Sequence, residues 1–212
     1  MPCLLQIKTL RDRAGTLILM TTKHASSDPK AKAGPASDAF VVLDECHRQT
    51  LAAIAKLEAI VARLDGGVDA QMRALAAEVV RHFSTTARQH HEDEERHVFP
   101  TLVASGDPAM AQAVLRLEQD HHWLDEDWMT LQPQLDALAC GQSWYDVAVL
   151  REGAEIFAAL SRDHIALEES FLYPEARARF GAGQAQAMGR EMAARRRARR
   201  RAATADRSRS HP

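Results

Sequence analysis

Two stretches decide how this chain is read: HHEDEERHVFP, from His90 to Pro100, and HIALEESFLYP, from His164 to Pro174. Both spell His, three residues, Glu-Glu, two residues, then an apolar residue, an aromatic and Pro, and they stand 74 residues apart. In an α-helix, four residues advance by about 400°, so His90 with Glu94, and His164 with Glu168, share one helix face a turn apart. One such pair is commonly a surface hydrogen-bonded pair. Two copies in register change that reading.

Sliding the chain by 74 residues aligns more than these phrases. His47 falls on His121, so each half places two histidines 43 residues apart. Phe83 falls on Phe157, Leu57 on Leu131, Leu64 on Leu138 and Arg88 on Arg162. The chain therefore reads as a helical hairpin and its copy, whose matched residues can meet near a pseudo-twofold axis. Matching also sorts the ten histidines. Only His47/His121 and His90/His164 are His in both halves. His82 and His97 replace Ile156 and Phe171 and are expected to be partly buried helix residues. His91 (matching Ile165) and His122 (matching Arg48) are expected to act locally or to support the ligands.

The rest of the pattern is helical. Phe40, Val41, Leu43, Leu51, Ile54, Leu57, Ile60, Val61 and Leu64 follow helical spacing after candidate caps Ser37 and Asp38, and Asp65-Gly66-Gly67 ends the run. A second helix is expected from about Val68 to Leu102, followed by a stop, an Asp107 cap and Pro108 at the first helical position. A third carries Val114, Leu115, Leu117, Leu124, Met129 and Leu131, with Pro133 expected to kink it or end its regular part. A fourth runs from about Trp144, capped by Ser143, to Phe180. Four long helices with short connections favour an all-α, up-down-up-down four-helix bundle over residues 37–180, with a non-bundle helical packing as the alternative. Residues 1–36 read as a flexible extension and linker.

Composition agrees: 46% of residues are apolar, 26% charged and only 5% aromatic. No apolar run approaches a membrane span, the start makes a poor signal peptide, and Cys3, Cys46 and Cys140 form no CxxC pair, so a cytoplasmic protein is expected. The net charge of −2 hides an asymmetry: residues 181–212 hold nine Arg against Glu191 and Asp206. This segment reads as a disordered Arg-rich tail. Its expected role is contact with the protein's own acidic body, with an acidic partner or nucleic acid as the alternative.

The chemistry follows from the donor set. Imidazole nitrogen with carboxylate suits iron or manganese, and a carboxylate can bridge two ions. Two carboxylates buried in a bundle are costly without compensating cations. His47, His90, Glu94, His121, His164 and Glu168 are therefore the candidate ligands, enough for two metals with positions left for a small ligand. Glu95 and Glu169 lie about 100° further round and are expected to support the ligands or face solvent. The Phe99-Pro100 and Tyr173-Pro174 endings are read as core closure.

These residues resemble the hemerythrin-like (HHE cation-binding) domain family over about residues 38–180. The resemblance implies a four-helix bundle holding two non-haem iron ions, Fe2+ or Fe3+, bridged by carboxylate and oxo groups. The implied function is binding or sensing oxygen, nitric oxide, peroxide or iron. A di-iron redox enzyme, reducing peroxide or nitric oxide or repairing iron–sulfur clusters, is the alternative. Oxygen-carrying hemerythrins place a second His one turn after the helix-3 His, where this chain has Asp125, and an Asp where it has Glu169. The set of four His and two Glu is closer to iron-sensing and cluster-repair proteins. The latter add an N-terminal cysteine-bearing domain that Cys3 does not match.

Overall fold

A computed structural model describes residues 38–209, so Cys3, His24, Ser37 and His211 lie outside the described residues, with the extension expected over 1–36. The described residues are helical, and no strand occurs among them. Helix α1 spans Ala39–Val61, and Asp38 caps it by accepting from the Phe40 amide. A single 3-10 turn, Leu64–Gly66, follows, and Gly67 takes φ +86°, a left-handed conformation that favours glycine. Helix α2 covers residues 70–103, with Asp69 capping it at the Met72 amide. Helix α3 is Pro108–Ala139, with Asp107 and Pro108 in their expected roles. Helix α4 covers residues 147–179 and helix α5 is Ala182–Arg209.

Three local expectations change. Helix α3 runs on through Pro133 to Ala139. Pro133 and Met129, whose carbonyl loses its usual donor, are both on the exposed side of the helix, where a missing backbone bond costs least. The cap of α4 is Asp146, which accepts from the Ala148 and Val149 amides, rather than Ser143. Val41, Leu51, Leu115 and Met129, counted in the apolar series, are exposed.

The largest correction is at the C-terminal end. Residues expected to form a disordered tail fold as α5, which packs on α1 and buries Ala185, Met188 and Met192. Its arginines hold the bundle's acids: Arg195 and Arg196 both donate to the buried Asp93, and Arg199 donates to Glu92. His97 meets Glu191 at 2.7 Å.

Two apolar clusters form the core. One gathers Ile54 and Leu57 of α1, Met72 and Phe83 of α2, Trp128 and Leu131 of α3, and Leu150 and Phe157 of α4. The other gathers Phe40 and Leu43, Phe99 and Leu102, Met110 and Leu117, and Leu172 and Tyr173, with the α5 methionines. Along every one of α1–α4, the residues between the two clusters include buried His or Glu: His47, His90 and Glu94, His121, and His164 and Glu168. The chain thus interrupts its own core with one polar layer. Matched residues do meet: the rings of Phe83 and Phe157 pack edge to face, 4.8 Å apart.

Candidate metal centre

Glu94 and Glu168 are wholly buried, and each is the first residue of a π-helical turn, Glu94–Val98 and Glu168–Leu172. These turns match under the 74-residue shift, so the duplication extends to the backbone. A π-turn takes an extra residue into the helix and is frequent at functional sites. A third, His82–Ala87, has ordinary α-helix at the matching place in α4.

The six candidate ligands converge. His47 Nε2 lies 3.0 Å from His90 Nε2 and 3.0 Å from Glu168 Oε2. His90 Nε2 is 3.4 Å from Glu94 Oε2, His121 Nε2 is 3.6 Å from the same oxygen, and His164 Nε2 is 3.1 Å from Glu168 Oε1. Two groupings have all their donor atoms within 4.8 Å of one another: His47, His90, Glu94 and Glu168, and Glu94, His121, His164 and Glu168. Both carboxylates belong to both groupings. His91 adds a third, with His121 and His164.

Supporting contacts repeat across the two halves. Glu169 meets His47 Nδ1 at 3.0 Å and Glu95 meets His121 Nδ1 at 2.7 Å, so each holds an imidazole with its other nitrogen turned inward. Tyr173 stacks on His47 with ring centroids 5.2 Å apart, and Phe99 takes the same place beside His121 at 5.6 Å. Tyr173 does more than close the core: its hydroxyl donates to Glu94 and lies 3.3 Å from His47 Nε2. His91, half-buried, stacks on His121 at 4.0 Å. His82 instead bonds Thr50, and His122 is exposed.

Protonation follows from this crowding. Burial, with Glu168 opposite, raises Glu94 well above the usual carboxylate range. Burial also works against ionising Glu168, but His164 outweighs it and holds Glu168 well below that range. His164 is itself disfavoured as a cation by burial, yet Glu168 and Asp120 raise it to about 9. Burial and the neighbouring His47 push His90 down, and burial keeps the Tyr173 phenol protonated. The layer is thus compensated in part by protons: His164 is cationic against Glu168, and the protonated form of Glu94 is favoured.

Residues 38–176 match the family model described as the hemerythrin HHE cation-binding domain. The chain belongs to that family. It is also 34% identical, over 119 residues, to an uncharacterised protein of Haemophilus influenzae. That match covers 56% of this chain and 66% of the relative.

The residues of this hemerythrin HHE domain fit a cation. Buried atoms without a hydrogen-bond partner include Glu94 Oε2, His121 Nε2, His164 Nε2 and both oxygens of Glu168. His164 Nε2 stands near Glu168 but is not aligned to donate to it. Buried polar atoms are ordinarily satisfied, and these orphans lie within the two groupings that share both glutamates. Nitrogen and carboxylate oxygen are the donors that iron accepts. No helix among the described residues is long and apolar enough to cross a membrane.

Proposed function

We propose that this chain holds two non-haem iron ions and uses them to bind or sense a small ligand of the oxygen, nitric oxide or peroxide class. His47 and His90 would hold one ion and His121 and His164 the other, with Glu94 and Glu168 common to both donor groupings. The observation that carries this reading is the sharing of both carboxylates by two groupings of donors. When bound, the metal pair supplies redox change and a Lewis-acidic position for the ligand. The alternation of the two apolar clusters along α1–α4 supports an up-down-up-down course that brings the two hairpins around the pair.

A cavity of about 30 Å3 adjoins the imidazoles of His47, His90, His91 and His164 and is walled by Phe83, Leu124, Trp128, Phe157 and Ile165. One water needs about 10–15 Å3 by this measure, so the space suits a diatomic molecule or peroxide. Redox catalysis at the same centre is a second reading, favoured by the Tyr173 hydroxyl, a protonated donor on Glu94. Turnover beyond one reaction per metal pair separates it from binding alone.

The test is metal analysis of the purified chain, with absorption spectra before and after reduction. We expect close to two irons per chain and a redox-dependent band. His164→Ala is expected to lose metal and the exposed His122→Ala to keep it. Metal-free protein from iron-replete cells overturns the proposal.

A further inference from the structure

The cavity beside the imidazoles has a mouth, and its chemistry is unlike its walls. Of its fourteen lining residues, eleven are buried and His91 is half-buried; the remaining two, Arg88 and Asp125, are exposed at 62% and 52%. Arg88 stands on α2 and Asp125 on α3, with Arg88 Nε 3.8 Å from Asp125 Oδ1. Solvent therefore meets an opposite-charge pair before it meets the apolar interior. Such an exposed pair, with its charged atoms 3.8 Å apart, is only weakly held. It opens readily and adds little to folding.

Sequence matching sharpens the point. Arg88 matches Arg162, but Asp125 matches Leu51, and the half-buried His91 matches Ile165. The second hairpin does not repeat this grouping, and Arg162 pairs with Glu58 instead. The extra π-turn His82–Ala87, also without a copy, contributes Phe83 and Ala87 to the same cavity. Asp125, His91 and this π-turn, three departures from the duplication, thus meet at one cavity. Neither mouth residue is among the donor groupings.

We propose that the Arg88–Asp125 pair is the entry gate of the cavity and sets its selectivity between anionic and neutral small ligands. This rests on the di-iron reading above. Arg88 draws an anion towards the mouth and Asp125 repels it, while a neutral diatomic feels neither charge. At low ionic strength a single uncompensated charge at a narrow entrance changes the encounter rate of a charged ligand, and salt within a Debye length of about 10 Å suppresses the effect.

The experiment uses the iron-loaded full chain and two probes, azide and nitric oxide, followed by stopped-flow absorption. Asp125→Asn is expected to raise the azide association rate about threefold to tenfold at low salt, and Arg88→Gln to lower it by a similar factor. Nitric oxide should change less than twofold in both. The double Arg88→Ala, Asp125→Ala variant should admit both probes faster. The azide differences should collapse in 0.5 M salt. Both residues are exposed, so the variants should fold, and iron content is measured on each. A chain that holds no iron defeats the di-iron reading itself. A chain with two irons and azide rates indifferent to all three variants overturns the gate alone.

Discussion

Glu95 and Glu169 are about half-exposed, yet each ends on the outer nitrogen of a buried imidazole. A carboxylate in that place fixes the tautomer, leaving Nε2 as the acceptor turned inward, and makes the ring a better donor to a metal. Glu95→Gln or Glu169→Gln should therefore weaken iron binding by about 10–100-fold. The melting of metal-free protein should barely move; a chelator-competition titration at unchanged affinity sinks the idea. Protons give a second residue-scale prediction. His164, raised to about 9, is protonated at neutral pH, and burial with Glu168 opposite favours the protonated form of Glu94. A cation must displace these protons, so uptake releases them and the apparent affinity climbs with pH until His164 deprotonates near 9. Calorimetric titrations at pH 7 in buffers of different ionisation heat should show net proton release, and a buffer-independent heat contradicts it. Duplication made the six converging residues legible in the sequence. It leaves His91, matched by Ile165, as a local or supporting residue, which its stacking on His121 agrees with, and Tyr173, matched by Phe99, as no more than core closure. Matching rewards symmetry, while these two residues act by breaking it.

Helix α5 shows where element-scale reading stopped short: it expects contact with the acidic body, which Arg195, Arg196 and Arg199 make, but not a docked helix. Nine arginines among the last 32 residues look like a solvated run, and charge density outweighs the small apolar signal of Ala185, Met188 and Met192. Those three lie at positions i, i+3 and i+7, the spacing of one helix face, and all are buried. The π-turns were hidden for another reason: they alter the helical period locally and carry no residue preference that spacing reveals. Arg195 and Arg196 make the docking testable, because among the described residues the ion-pair partners of the buried Asp93 are both on α5. Burial raises Asp93, while the two guanidinium groups oppose that rise. Removing both arginines leaves a buried acid without compensation, a loss of about 3 kcal/mol in a fully buried pair and less here because the arginines are partly exposed. Arg195→Ala with Arg196→Ala should lower the urea midpoint clearly. Adding Asp93→Asn should restore part of the loss, and a melt that ignores the third substitution argues against this pairing.

For the molecule as a whole, the polar layer divides one core into two, so the apolar clusters are joined side to side through residues that repel burial. Phe83, Leu131 and Phe157 hold one end; Phe99, Leu117 and the α5 methionines hold the other. Protons compensate the layer between them, but they leave Glu168 and the inner nitrogens of His121 and His164 without hydrogen bonds. A cation at the shared carboxylates would be bound by α1, α2, α3 and α4 together, because each supplies at least one member of the two groupings. Ligand binding to the folded state alone adds about 4 kcal/mol of stability when the free ligand stands at a thousand times its dissociation constant. Removing iron with a chelator should accordingly lower the melting temperature by many degrees, and reloading should restore it. Hydrogen exchange locates the effect: the layer touches four helices, so amides near residues 47, 90–94, 121 and 164–168 should gain protection together on loading. Protection confined to a single helix would mean that the metal is held elsewhere.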